Sequence, residues 1–248
     1  MIPVSKIITN CLRGIDSHTQ ELVTGAGVAI VIKVLAAGIA FGLNVVLAKL
    51  LGAGGSGIFY LALTVVIIVS AMGRIGMENA LVKFIAANVV AKNPEKVLGV
   101  YKKAILYSLG VASILSLLLY LVAPWLSQVI LKKSELTQPL TIMSFAVVPL
   151  ALLTLHAHAL QGLKKIAASI SVLATIVPLL TCFSALLFCS AYGINGVAVG
   201  YIVATLITLL FGRIFWVKAT STFIANTATF DRKQLFACSM PLYGVVML

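Results

Sequence analysis

Charged side chains are scarce in this sequence of 248 residues, of which 10% are charged and 61% are hydrophobic. An average soluble domain has about 25% charged residues. A folded soluble monomer of this size could not cover so much apolar surface with water-compatible groups. The scarcity of charge therefore excludes a water-soluble globular enzyme and an intrinsically disordered chain, and it indicates a polytopic membrane protein.

Acidic residues are fewer still, with six Asp and Glu in the whole sequence, and no Asp lies in a predicted span. A carboxylate that could bind a proton or a sodium ion inside the membrane is therefore missing. The sequence also has no phosphate-binding P-loop and no DxD or zinc-type cluster, and its four cysteines lack metal-ligand spacing. We predict a protein that is not an enzyme, with no catalytic residue, no metal site and no cofactor.

Long charge-free runs indicate transmembrane helices, since about 20 apolar residues cross the hydrocarbon layer. The longest run, 166–212, is long enough for two crossings and is interrupted at Gly193-Ile194-Asn195-Gly196. We predict an all-α transmembrane bundle. Its six spans lie at about 26–50, 57–74, 103–131, 139–162, 166–191 and 196–217.

The formal net charge of +12 comes mostly from Lys and Arg residues that lie between the spans or at their ends. They concentrate in the N-terminal segment and in the connections after the even-numbered spans. The connections after the odd-numbered spans hold only Lys49, Lys132 and Lys133. This asymmetry predicts a cytoplasmic N-terminus, and it explains the positive charge without a nucleic-acid partner.

The chain divides into three predicted regions. Residues 1–24 form a cytoplasmic amphipathic segment, and residues 25–218 form the six-helix lobe. Residues 219–248 form a cytoplasmic linker and the start of a seventh helix that is truncated, so we expect a fragment. In the connection 75–102 we predict an interfacial helix, followed by a helix that starts at Asn93-Pro94-Glu95 with Asn93 as its cap.

Four local motifs give a narrower indication. They are LLGAGGSGIFYLAL at 50–63, RIGMENALVKFIA at 74–86, ALQGLKK at 159–165 and SMPLYGVVML at 239–248. In this order they resemble the polysaccharide-biosynthesis flippases, which are Wzx-type exporters in the multidrug/oligosaccharidyl-lipid/polysaccharide superfamily. The resemblance covers about residues 22–248 and implies the N-terminal half, or first lobe, of a two-lobe flippase.

The resemblance implies that the chain flips a polyprenyl-diphosphate glycan, such as an O-antigen or other polysaccharide repeat unit, across the bacterial inner membrane. Its expected partners are the lipid-linked oligosaccharide, membrane lipids and the polysaccharide polymerase machinery, for example in lipopolysaccharide biosynthesis. Two alternatives remain. A multidrug or metabolite antiporter of the same superfamily would be expected to carry a buried acid. A membrane enzyme of polysaccharide assembly would need a large outer loop.

Candidate substrate-binding residues lie on two predicted helices. Lys33 and Asn44 share a helical face with Ala37 and Ala40, and Lys33 is the one charge well inside a predicted span. We expect this face to line a polar cavity in which Lys33 attracts a diphosphate. The alternative is that Lys33 reaches the headgroup level.

Further candidates lie on helix 4 and after helix 2. His158 and Gln161 share a face of helix 4, with His156 nearly opposite, and His158 could donate to a phosphate or a sugar hydroxyl. The alternative for His158 is an interfacial role. Arg74 and Glu78 form a candidate i,i+4 pair that could bind headgroups or act as a gate.

Overall fold

The computed structural model describes residues 17–74 and 76–221, with side chains described from Gly27 onward. In this part of the chain 94% of the residues are helical and none is in a strand. The α-helices are α1 (Ser17–Gly73), α2 (Met77–Val90), α3 (Pro94–Trp125), α4 (Thr137–Met143), α5 (Val147–Gly162), α6 (Ile166–Ile170) and α7 (Val177–Thr220). Short π-helical or 3-10 turns lie at Leu126–Ile130, Ser134–Leu136, Ser144–Ala146 and Ser171–Ile176.

Four continuous helical segments are long and apolar enough to cross a membrane. We call them the first to fourth apolar segments: Gly27–Arg74, Pro94–Ile130, Ser134–Gly162 and Ile166–Thr220. The predicted all-helical fold is therefore confirmed for the described residues, and these four segments indicate a membrane-embedded protein. The described residues form four continuous apolar segments, and not six separate helices as predicted. The first and fourth segments each continue through a change of direction at a glycine. The predicted seventh helix lies outside the described residues.

Helix α1 reverses its direction at Gly52, where φ is 69° and ψ is 179°. A positive φ of this size is accessible to glycine at little steric cost. The Tyr60 hydroxyl donates a hydrogen bond to Oδ1 of Asn44, sixteen residues earlier. In a straight helix these residues would lie about 24 Å apart. The two arms therefore fold against each other, and we call Gly27–Arg74 the first hairpin.

Helix α7 has a second reversal at Gly193, with φ 55° and ψ −132°. A Cβ on Gly200 would lie 2.8 Å from Cβ of Ser184, so the two arms are in close contact. Near the tip, Nδ2 of Asn195 donates to Oε1 of Gln138 over 2.8 Å. The predicted interruption at 193–196 is confirmed, and we call α7 the second hairpin.

The third apolar segment lies at the centre of the molecule. Of its most apolar stretch, 61% is buried, against 11% for the first hairpin. Small residues bring neighbouring helices close to it. A Cβ on Gly162 would lie 2.9 Å from Cβ of Ile85, so the backbone of α5 lies directly against the Ile85 side chain of α2.

The connection between α1 and α3 contains helix α2, as predicted. The apolar face of α2 packs against the protein, however, and does not lie on the membrane surface as expected. Leu81 and Ile85 are fully buried against the end of α5. Helix α3 begins at Pro94, which confirms the predicted start, whereas the Asn93 side chain makes no capping hydrogen bond. The N-terminal helix starts at Ser17, earlier than predicted, and most of the predicted regions 1–24 and 219–248 lies outside the described residues.

Candidate functional site

Polar side chains follow one line along the outside of the first hairpin. Asn44 and Thr64 are exposed and Tyr60 is half-buried between them. Nδ2 of Asn44 donates to the Ala40 carbonyl over 2.9 Å, and Oγ1 of Thr64 donates to the Tyr60 carbonyl over 2.8 Å. Each of these two bonds lies within one arm, and the bond from Tyr60 to Asn44 ties the two arms together. We call Lys33, Asn44, Tyr60 and Thr64 the polar strip.

Lys33 lies on the same arm as Asn44, about 16 Å further along the helix. Its side chain is exposed and makes no hydrogen bond or ion pair with any residue that the structure describes. The first arm buries Ala36 and Leu47 instead. The predicted face of Lys33 and Asn44 is therefore on the outer surface of this chain rather than inside it.

A partly open apolar pocket lies beneath the polar strip, between the two hairpins and α5. Its volume is about 240 Å³, and Tyr60 forms part of its wall. Thr181 and Tyr201 also line it, and both are buried. The rest of the wall is almost entirely apolar, with Phe59 and Leu153 among its residues. Only a few hydroxyl groups therefore reach this pocket.

The two candidates on α5 are not joined to the polar strip. His158 is half-buried, and its Nδ1–H donates to the Thr154 carbonyl over 2.8 Å. Gln161 is exposed. In the described part of the chain, no hydrogen bond connects either side chain to Lys33 or Asn44. Their predicted role in binding substrate therefore remains a prediction.

The other histidine of α5, His156, is the one held in a defined network. Its Nδ1–H donates to the Leu152 carbonyl over 2.7 Å, and its Nε2 accepts from the Tyr101 hydroxyl over 2.7 Å. The prediction that His156 points away from His158 agrees with this arrangement. Sequence reasoning nevertheless did not select His156, because its partner is 55 residues away in the chain.

Tyr101 also forms one wall of a groove between α3 and the end of α7. Its ring stacks on Trp216 with centroids 4.1 Å apart and planes at 18°. Lys102 and Arg213 line the groove, whose volume is about 380 Å³. We call this feature the basic groove.

The predicted pair of Arg74 and Glu78 is confirmed. Nε of Arg74 lies 2.7 Å from Oε2 of Glu78, and the side chains are 12% and 10% exposed. Nη1 of Arg74 also donates to Oγ of Ser70 over 3.0 Å. Arg74 is thus engaged within the protein, and the role of this pair as a headgroup site or gate remains a prediction. No group of three or more His, Cys, Asp or Glu that could hold a metal ion occurs among the described residues.

The fold and these sites define a class. The described part of the chain is all-helical and has four segments apolar enough for a membrane, with a polar strip on one hairpin and a basic groove at the ends of two other helices. A family model described as polysaccharide biosynthesis protein matches residues 22–246, and the chain belongs to this family. The match includes all four apolar segments. No curated protein matches the chain.

Proposed function

We propose that the chain is part of a flippase that moves a polyprenyl-diphosphate-linked oligosaccharide, such as an O-antigen repeat unit, across the bacterial inner membrane. The proposal rests on one observation above all. A member of the polysaccharide biosynthesis family presents a line of polar side chains on the outer face of an apolar hairpin.

The position of the polar strip favours a water-filled cavity over lipid. Lys33 and Asn44 are exposed beside large apolar side chains such as Val34 and Phe41. A lysine near the middle of a span costs roughly 2.5–3.5 kcal/mol on insertion scales, and such residues usually face a polar cavity or a bundle interior. We infer that a second lobe covers this face, and that the polar strip lines the cavity between the two lobes.

The chemistry of the polar strip suits a glycolipid headgroup. The Lys33 ammonium can bind a diphosphate, and the amide of Asn44 and the hydroxyls of Tyr60 and Thr64 can bind sugar hydroxyls. The pocket beneath Tyr60 is nearly all apolar and is a poor site for a sugar. The glycan would therefore pass along the strip while the polyprenyl chain stays in the bilayer.

The proposed arrangement in the membrane follows from the two reversals. If each arm of the two hairpins crosses the bilayer, the chain has six crossings, with the Gly52 and Gly193 tips on the outer side. The distribution of Lys and Arg then places the N-terminus in the cytoplasm. This lobe would be the N-terminal one of two.

Transport by this route needs no hydrolysis. Moving one negative charge outward across an inside-negative membrane gains about 2.3 kcal/mol per 100 mV. An antiporter is less favoured, because the sequence has Asp only at positions 16 and 231 and because Glu78 is held by Arg74. We therefore propose a transporter rather than an enzyme.

The test is a glycolipid-topology assay of the Lys33→Ala variant. Loss of one charge-assisted contact to the diphosphate should lower the flipping rate about tenfold or more. Lys49→Ala is the matched control, since Lys49 is exposed on the same arm but lies about 160° around the helix from Lys33. Full activity of Lys33→Ala at a normal protein level would remove Lys33 from the transport path.

A further inference from the structure

The basic groove contains two cations without an acidic partner. In the described part of the chain, neither Lys102 nor Arg213 forms an ion pair or a side-chain hydrogen bond. Both side chains are exposed. Arg74, in contrast, is held by Glu78 and Ser70. The groove therefore presents positive charge that nothing in the described chain neutralises.

The two cations lie at the same level. Lys102 is about 12 Å from the start of α3 at Pro94, and Arg213 is about 10 Å from the end of α7 at Thr220. Both helix ends belong to apolar segments that can cross a membrane. At this depth long basic side chains reach toward the headgroup region.

The wall between the two cations is rigid. Tyr101 is stacked on Trp216 and hydrogen-bonded to His156, whose ring is itself fixed by the Leu152 carbonyl. Trp216 is 3% exposed, so its ring has little freedom to move. A ligand that enters the groove would therefore meet a preformed surface, with little loss of side-chain entropy on binding.

The remaining lining residues are apolar and extend further into the segment. Ile105, Leu106 and Leu109 follow Lys102 along α3, and all three line the groove. Leu106 and Leu109 are exposed. Positive charge at one level and an apolar surface deeper in the membrane match an amphiphile with an anionic head and a hydrocarbon chain.

We propose that the basic groove binds an anionic phospholipid of the surrounding bilayer, with its phosphate between Lys102 and Arg213 and an acyl chain along Ile105, Leu106 and Leu109. Basic pockets between transmembrane helices bind anionic headgroups of this kind. This site is separate from the polar strip, and it does not depend on the proposed transport activity.

Trp216 provides a direct readout, because the sequence has only two tryptophans. The Trp125→Phe variant leaves Trp216 as the sole indole and serves as the parent protein. It is placed in vesicles of equal parts phosphatidylglycerol and phosphatidylcholine. In one sample the phosphatidylglycerol is brominated on its acyl chains, and in the other the phosphatidylcholine is brominated. Bromine quenches the indole at short range, so the ratio of quenching measures which lipid occupies the groove.

We expect stronger quenching by brominated phosphatidylglycerol in the parent. Two cations near the bilayer surface should favour the anionic lipid about 25-fold together, or about fivefold for each cation. The Lys102→Gln and Arg213→Gln variants should each lose about fivefold of this preference, and the double variant should quench equally with both lipids. Arg213→Lys keeps the charge and should retain most of the preference.

The matched control is the double variant Lys96→Gln/Lys218→Gln. These two exposed lysines lie on the same helices, but they do not line the groove. Their removal should leave the preference unchanged. A loss of the preference equal to that of the groove variants would show attraction by overall charge and would overturn the proposal.

Two further results would also overturn it. The first is equal quenching by both lipids in the parent, which is decisive even if a groove variant does not fold. The second is displacement of brominated phosphatidylglycerol by a trace of added polyprenyl diphosphate. That result would make the groove a substrate site rather than a site for a bilayer lipid. Persistence of the preference when polyprenyl diphosphate is added supports the proposal and is independent of the flipping assay of Lys33.

Discussion

The first hairpin and the third apolar segment are both apolar enough to cross a membrane, yet they are buried to very different extents. In the most apolar stretch of each region, 11% of the residues are buried in the first hairpin and 61% in the third apolar segment. The more buried segment is the less apolar of the two. Lipid solvates apolar surface as well as a protein core does, so hydropathy does not decide which helix is central.

Close packing distinguishes the third apolar segment from the first arm of the first hairpin. In the third apolar segment, a Cβ at Gly162 would collide with Ile85. On the first arm of the first hairpin, a Cβ at Gly38 or Gly42 would meet nothing within 4 Å, whereas at the end of the second arm a Cβ at Gly73 would lie 3.0 Å from Cβ of Ala112. Helices in a membrane associate where small residues let backbones approach and where polar groups bond across the interface. The third apolar segment has both features, through Gly162 and through His156.

The largest effect on stability is expected at the ion pair between Arg74, at the end of the first hairpin, and Glu78 of α2. Glu78→Ala would leave the largely buried Arg74 guanidinium without its carboxylate, and it should lower the free energy of unfolding by about 3 kcal/mol. Thermal unfolding in detergent measures the change. The control Glu95→Ala removes an acid that has no ion pair among the described residues. Equal effects of the two variants would show that the pair does not anchor the hairpin to α2.

Two glycine substitutions, one in each region, should differ in their effect on the stability of the protein. Gly162→Ala should destabilise the protein by about 2 kcal/mol, because α5 and α2 would have to move apart. Gly38→Ala should be neutral or stabilising by up to about 1 kcal/mol, since its Cβ meets open space and alanine favours the helix. Unfolding temperatures of the two variants in the same detergent provide the measurement. A destabilising Gly38→Ala would mean that another surface already covers the first hairpin.

The smallest expected effect concerns the network behind the basic groove. Tyr101→Phe keeps the stack on Trp216 but removes the donor to Nε2 of His156, and it should cost about 1 kcal/mol of stability. The matched variant Tyr120→Phe changes another tyrosine of α3, whose hydroxyl makes no hydrogen bond with the described residues and whose ring contact with Phe145 is kept. Unfolding in detergent gives the stability, and Trp216 fluorescence in a Trp125→Phe background reports whether the stack persists. An unchanged stability of Tyr101→Phe would show that the hydrogen bond contributes nothing net.

Features that depend on nearby residues could be predicted from the sequence. The start of α3 at Pro94, the reversal at 193–196 and the i,i+4 pair of Arg74 and Glu78 each need only a few adjacent positions. The sequence also indicated the apolar face of α2, but it did not indicate which helix packs against that face. Leu81 and Ile85 pack on α5 rather than on the membrane surface.

The candidate sites show the same limit. Lys33 and Asn44 could be selected because charge and amide groups are rare in an apolar helix. Tyr60 and Thr64 could not be joined to them without knowing that Gly52 reverses the chain. The basic groove escaped prediction because Tyr101, His156 and Trp216 have no shared local pattern. Lys102 and Arg213 counted only toward the charge asymmetry between the two sides of the membrane.

Composition alone determined that hydrocarbon surrounds this chain, since apolar runs of this length have no other stable environment. The local sequence also indicated several helix limits, such as Pro94, Gly162 and the reversal at Gly193, because proline and glycine act on the backbone locally. Only the tertiary structure decided which apolar helix is central and which polar groups meet. Those contacts join residues far apart in the chain, and inside a bilayer they are selected by fit and hydrogen bonding rather than by hydrophobicity.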